Sequence, residues 1–365
     1  MIGKAEMSME LTARLDAALH SALGTRIVGC VVLVNRGGRE VYARAAGLAD
    51  REAGRGMARD AVFRLASVTK PVVAAAVLRL VDQGLVSLDD PVTKFLRNFR
   101  PRGPDGREGV ILIRHLLSHT SGLTYGGGGT YPRGLSGPLI TQDEVMAGVA
   151  AEPLLFAPGT GWEYGMSTDV LGAVVAQVMG GDVAGAVASL VTGPLGMVDT
   201  RFGVSDRARL AQPYCDGTPP VRMAGEVTVA ETPFSVPRIF EPRAPQSGGA
   251  GMAGTADDVM RLLEALRGDF LSADLRDASF ANQIGTIARR DTDAGKRFGF
   301  LGAVTEDPVA AGTALPIGAV DWGGAWGHNW VVDRASQTTI VVCTNTTFEG
   351  CNGPFREEVT QAVFG

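Results

Sequence analysis

The stretch RLASVTKPVVAAAVLRLVDQG, residues 64–84, sets a serine and a lysine at the head of an apolar helix. Ser67 and Lys70 are three residues apart, a spacing that puts two helical side chains on one face. Pro71 falls in the first turn, where its missing N–H costs little. The same proline disfavours helical geometry at Lys70, so the spacing places the helix start within a residue of Ser67. A hydroxyl there sits beside free backbone N–H groups and the positive end of the helix dipole. That suits a nucleophile whose substrate develops an oxyanion. Serine needs a base, and lysine serves when an apolar environment such as VVAAAVL disfavours its ammonium form. An N-cap serine beside a snorkelling lysine fits the same residues, so S-x-x-K alone does not decide between them.

Outward from this helix, strand patterns gather at the two ends of the chain. IVGCVVLVN, the turn RGGR and EVYARAAG read as a β-hairpin. Near the C-terminus, RFGFLGAV, GAVDWGGAWG, HNWVVD and QTTIVVCTN read as further strands, and GPFREEVTQAVF as a closing helix. Between lie helical patterns: DPVTKFL, IRHLLSH, TQDEVMAGVAA, STDVLGAVVAQVMG, DVAGAVASLV and TADDVMRLLEALRG. Loops rich in Gly and Pro separate them, notably TYGGGGTYPRGLSGP and FEPRAPQSGGAGMAG. The pattern predicts an α/β (α+β) architecture. An antiparallel sheet is flanked by N- and C-terminal helices, with a mainly helical domain inserted. The expected boundaries are 1–85 with 285–365 for the sheet domain and 86–284 for the insertion. The active site is expected at their interface.

Composition narrows the function classes. The 365 residues are 45% hydrophobic and 20% charged, with net charge −5. There is no basic block, which argues against nucleic acid as a partner. No run approaches the 18 apolar residues of a membrane span. The N-terminal segment repeats Leu11, Leu15, Ala18 and Leu19 at helical spacing and reads as a surface helix, not a signal peptide. Cys30, Cys215, Cys343 and Cys351 show no C-x-x-C pairing, and the reading is reduced thiols in a cytoplasmic protein. The proximity of Cys343 and Cys351 leaves a bridge as the minor alternative.

Further motifs then join the S-x-x-K. FRLASVTK, IRHLLSHTSGL, GWEYGMSTDVLG, GGAGMAGTADDVMRLL and WGGAWGHNWVVD together resemble the serine β-lactamase and penicillin-binding-protein superfamily over nearly the full length. The resemblance implies Ser67 as nucleophile, Lys70 as its partner and Tyr164 as general acid/base. It implies an oxyanion hole from the backbone N–H groups of Ser67 and Ala325. Two departures stand out. The asparagine of the family's Y-x-N is Met166, and the lysine of its K-T-G is Trp322, followed by Gly323 and Gly324. An indole and a thioether favour apolar, uncharged groups over a carboxylate. W-G-G with S-x-x-K and a tyrosine resembles the β-lactamase-like, family VIII carboxylesterases. That resemblance implies hydrolysis of short-chain esters through an acyl-enzyme, with a small-molecule ester as partner and no metal or organic cofactor. The substrate-binding residues expected are Trp322, Gly323, Gly324, Met166, Trp326 and His328. Homo-oligomerisation is left open.

Rival readings are a β-lactamase, a D-amino-acid amidase or peptidase, an acyltransferase, or a non-catalytic penicillin-binding-like module. Intact Ser67, Lys70 and Tyr164 argue against the last. His115 and His119, at i, i+4, have zinc-ligand spacing but lack the H-E-x-x-H glutamate. No G-x-S-x-G elbow points to an α/β-hydrolase. Ser121 reads as a turn residue, and Trp162 and Glu163 as packing and loop closure.

Overall fold

The structure is a computed structural model describing residues 4–126, 134–137, 139–289 and 294–365. Part of the Gly-rich loop at 124–138 therefore lies outside the described residues. Both chain ends build one eight-stranded sheet. Its strands are β1 (Gly29–Arg36), β2 (Arg39–Asp50), β3 (Arg55–Gly56), β4 (Lys296–Phe298), β5 (Ala303–Thr305), β6 (Val320–Gly324), β7 (His328–Asp333) and β8 (Thr338–Thr344). The order is β4-β5-β6-β7-β8-β1-β2-β3, and every pairing is antiparallel. β1 joins the two ends: Val32 faces Val342 of β8 on one side and Arg44 of β2 on the other.

The alternation of a strand gives β1 two buried faces. Cys30, Val32 and Val34 pack on Leu11, Leu15 and Leu19 of α1 (Lys4–Ala22) and on Phe355 and Val359 of the C-terminal helix Pro354–Phe364. Val31 and Leu33 point the other way, into the main core. That core holds α2 (Thr69–Asp82), α3 (Ser167–Met179) and α4 (Ala256–Arg267). Eleven of the 14 residues of α2 are buried, so it is apolar all round, as a helix inside a core must be. Each large apolar side chain buried there contributes roughly 1.5–3 kcal/mol.

Several expectations change in detail. RFGFLGAV is not one strand: the chain folds back between Phe298 and Ala303, with Gly299 N–H donating to the Gly302 carbonyl at 2.8 Å, and pairs with itself. DPVTKFL forms only a 3-10 turn at Val92–Lys94, and IRHLLSH gives a five-residue helix, Ile113–Leu117. Two short hairpins in the middle, Tyr214–Cys215 with Val221–Arg222 and Glu226–Val229 with Thr232–Ser235, are not anticipated by the periodicity. All four cysteines are free thiols. Among the described residues, no single helix is long and apolar enough to cross a membrane.

Candidate active site

Ser67 lies two residues before the helix that was expected to carry it. It occupies a 3-10 turn, Ala66–Val68, and α2 starts at Thr69. The turn follows a segment, residues 63–65, that is anchored from two directions. On one side, the short strand Phe63–Arg64 pairs with Met252–Gly254, and Leu65 N–H donates to the Met252 carbonyl at 2.9 Å. The same segment is held again from β7, where His328 Nε2 lies 2.7 Å from the Arg64 carbonyl. Ala66, directly after this segment, has φ of 47°, in the left-handed region that an alanine rarely enters. Such backbone strain costs about 1–3 kcal/mol and persists where flanking structure imposes it. Ser67 itself is part-exposed.

Lys70 sits on the first turn of α2, 5% exposed. Its Nζ donates to Ser67 Oγ at 3.3 Å, Tyr125 Oη at 3.1 Å and the Gly249 carbonyl at 2.8 Å. Three acceptors match the three N–H bonds of an ammonium group. The Nζ also lies 4.5 Å from the centroid of the Tyr164 ring, within cation–π range. Tyr164 comes from the loop that enters α3. Its ring is wedged between His119 at 4.8 Å, Trp322 at 5.0 Å and Tyr125 at 5.6 Å. Trp322 Nε1 donates to Tyr164 Oη at 3.1 Å. The indole standing where the resembled family has lysine therefore holds the tyrosine that shares the site with Lys70.

The two glycines after Trp322 set how closely β6 approaches the nucleophile. A Cβ on Gly324 would run into the Leu65 carbonyl oxygen and lie 3.2 Å from Val68 Cγ2. A Cβ on Gly323 would sit 2.7 Å from Cys351 Sγ. With hydrogen there instead, the end of β6 lies against the Ser67 turn, and Ala325 follows directly.

Electrostatics around the site are uneven. Burial and the nearby Lys70 and Arg289 cations push the His119 ring well below its ordinary pKa, so it is neutral beside Tyr164. Its Nδ1 accepts from Gly165 N–H at 3.4 Å, which assigns it to loop structure. Asp169, on the first turn of α3, is the buried acid of the site. Burial raises its pKa, against the Ser247 hydroxyl, which donates to Oδ1 at 2.5 Å, and the charge of Lys70. A Cβ on Gly249 would lie 2.5 Å from Asp169 Oδ2 and 3.3 Å from Lys70 Nζ, so the carboxylate and the ammonium flank this glycine. The Arg289 guanidinium lies 5.0 Å from the Trp162 ring and 5.6 Å from that of Trp322.

Tyr125, Asp169 and Arg289 are absent from the sequence reading. The signal for Asp169 was an acid in the buried phase of STDVLG; for Tyr125, an aromatic heading a glycine run. Two expected substrate contacts are corrected. Met166 is 1% exposed and belongs to the main core. His328 is 1% exposed, edge-on to Phe63, and braces the nucleophile strand through the Arg64 carbonyl. Burial lowers its pKa to about 4. Trp326 is also buried, edge-on to Phe234. Ser121 is a buried turn residue, its Oγ 2.9 Å from Ser167 Oγ. No group of three or more His, Cys, Asp or Glu could hold a metal ion among the described residues, and His115 instead accepts from Leu112 N–H at 3.2 Å.

A serine on a strained turn, a lysine one helical turn later and a clamped tyrosine, at the edge of an antiparallel sheet, are the apparatus of a serine hydrolase that works through an acyl-enzyme. The chain belongs to the Beta-lactamase family, whose profile matches residues 13–360. It is 48% identical to Esterase EstB of Burkholderia gladioli, over 97% of this chain and 95% of that one. It superposes on the solved structure of EstCE1, described as a hydrolase with promiscuous acyltransferase activity, with a TM-score of 0.93. The identity there is 36%, covering 98% of this chain and all of the other. The simvastatin synthase LovD of Aspergillus terreus shares the fold, with a TM-score of 0.73 at 21% identity, over 96% of this chain and 97% of that one.

Proposed function

We propose that Ser67, Lys70 and Tyr164 carry out a two-step acyl transfer in this protein, a carboxylesterase of the Beta-lactamase family. The observation that carries the reading is Lys70 Nζ, 3.3 Å from Ser67 Oγ with the Tyr164 ring packed over it. The Lys70–Tyr164 pair takes the Ser67 proton as Oγ attacks the ester carbonyl. The N–H groups of Ser67 and Ala325 receive the oxyanion, a contact whose loss typically costs about 100–1000-fold in rate. Tyr164 then protonates the departing alcohol, and water cleaves the acyl-enzyme by the reverse steps. Trp322 makes the binding wall apolar where the resembled family has a cation, which supports neutral acyl esters as substrates. Four free thiols support a reducing, cytoplasmic setting.

A second reading, transfer of the acyl group to an alcohol instead of water, is supported by the likeness to EstCE1. The test is intact-protein mass spectrometry during turnover of p-nitrophenyl butyrate, with and without added alcohol. The expected result is a butyryl adduct on wild-type protein and none on Ser67→Ala. An adduct that persists on the folded alanine variant would place the nucleophile elsewhere.

A further inference from the structure

Behind the Ser67 turn lies a cavity of about 240 Å³ whose wall carries three arginines, Arg64, Arg207 and Arg238. Among the described residues, no ion pair engages any of the three. The one carboxylate on the wall, Glu241, is held by Arg243 at 2.9 Å. Arg64 is 7% exposed; it donates to the carbonyls of Ala211 at 3.3 Å and Val236 at 3.0 Å, and its Nε has no partner. Arg238 reaches the carbonyls of Gly137 and Pro245 only at 3.4 and 3.5 Å. Phe240 and Trp326 supply apolar wall, with Arg207 stacked 4.2 Å from the Phe240 centroid. Burying a cation such as Arg64 without a paired carboxylate is costly, and half-buried Arg238 has only the longer-range charges of Glu226 and Asp169. Burial also pushes Arg64 down to about 10.

We propose that this cavity binds a carboxylate, supplied either by the far end of a short acyl chain seated on Ser67 or by a free short-chain acid. Planar guanidinium forks match a carboxylate bidentately. The volume falls just under the roughly 300–1,000 Å³ of ordinary small-molecule pockets, which suits a short chain over a bulky acid. The wall adjoins the Ser67 turn through Arg64, Ala250 and Trp326, while Ser67, Lys70 and Tyr164 themselves lie outside it. Ala66, next to Ser67, packs with Trp326 and Ala250, which directly follow Ala325 and Gly249. Arg64 is three residues from Ser67, so their Cα atoms are at most about 11 Å apart. The acyl-chain source rests on the acyl-enzyme reading above; the free-acid source does not.

The experiment compares kcat/KM for p-nitrophenyl butyrate with that for mono-p-nitrophenyl glutarate and adipate, in wild type, Arg207→Gln and Arg207→Gln/Arg238→Gln. A parallel arm follows the Tm of each protein against free glutarate and against neutral glutaramide. If the acyl chain is the source, the ratio of carboxylated to neutral ester falls at least tenfold in the double variant. If a free acid is the source, glutarate raises Tm saturably in wild type, glutaramide does not, and the double variant loses the shift. An unchanged ratio together with no glutarate-specific shift overturns the proposal. Exposed Arg207 gives a single variant that keeps the comparison usable should the double variant fold poorly. Wild-type protein that fails to hydrolyse the butyrate ester would instead defeat the esterase mechanism and leave the glutarate arm standing.

Discussion

At the scale of single residues, the site depends on two donors whose loss has different signatures. Lys70 contributes a compact amine whose Nζ reaches three hydrogen-bond partners, Ser67 Oγ among them. Guanidinium is larger, planar and always protonated. Lys70→Arg is therefore expected to be nearly as inactive as Lys70→Ala. Steady-state rates on p-nitrophenyl butyrate check this, and substantial activity in the arginine variant would remove Lys70 from proton transfer. Trp322 contributes a single N–H to Tyr164 Oη, while its ring contacts Phe298 at a centroid distance of 5.2 Å. Trp322→Phe keeps most of the ring and deletes the donor. One neutral hydrogen bond is worth about 0.5–1.5 kcal/mol, so kcat should fall roughly 2- to 12-fold. A change in KM alone would make Trp322 a binding wall with no hold on Tyr164. Trp322→Lys probes the same position differently: an ammonium there should raise the ratio of cephalosporin to ester efficiency, measured as kcat/KM for one of each.

At the scale of elements, the proposed oxyanion hole needs β6 and the Ser67 turn to touch. Gly324 is the contact point, and Gly324→Ala sets a methyl against the Leu65 carbonyl, which is backbone and cannot swing aside. Displacing β6 carries Ala325 away from Ser67, so the alanine variant should lose about 100-fold or more in kcat, as when an oxyanion donor is removed. The measurement is kcat beside a near-UV CD spectrum, and a native-like spectrum with full activity would separate Ala325 from the oxyanion role. This contact also shows what could be read in advance. The strands β1, β7 and β8 and the long helices α2, α3 and α4 were legible because each is a long apolar or amphipathic run bounded by turn residues. Ser67, Lys70, Tyr164 and W-G-G were legible through resemblance to a family, with Ser67 and Lys70 also drawn together by helical spacing. Met166 was assigned to the pocket because it occupies the asparagine position of the family's Y-x-N, and His328 because it follows the W-G-G strand, but both side chains turn inward. Asp169 and Tyr125 stayed hidden because their meeting with Lys70 is made by tertiary packing, not spacing. RFGFLGAV looked continuous because nothing in its hydrophobicity marks Gly299–Gly302 as a reversal.

At the scale of the whole molecule, the sheet and the helical core are stitched together by buried neutral imidazoles, and this sets an acid limit to stability. His328 on β7 bridges to the Arg64 carbonyl, joining the C-terminal strands to the segment that carries Ser67. A pKa of about 4 in the fold against 6.5 ordinarily means that the folded state refuses a proton that the unfolded chain accepts. Above about pH 6.5 the ring is neutral in both states, and its full contribution to stability is present. Between about 6.5 and 4 the unfolded chain binds the extra proton, and stability falls by about 1.4 kcal/mol per pH unit. Over the whole window that amounts to ~3 kcal/mol, and His119 acts in the same direction. Glutamine can present an amide N–H near the position of Nε2 and does not titrate. His328→Gln should therefore lose some stability at pH 7.5 but show a shallower decline towards acid. Urea unfolding of both proteins at pH 7.5 and pH 5.0 measures this as a difference in slope. The histidine contributes about 2 kcal/mol of the wild-type decline over that interval, and the variant should lack it. Parallel declines in the two proteins would mean that His328 takes up its proton without unfolding, and that the link from β7 to the nucleophile strand is looser than the 2.7 Å contact implies.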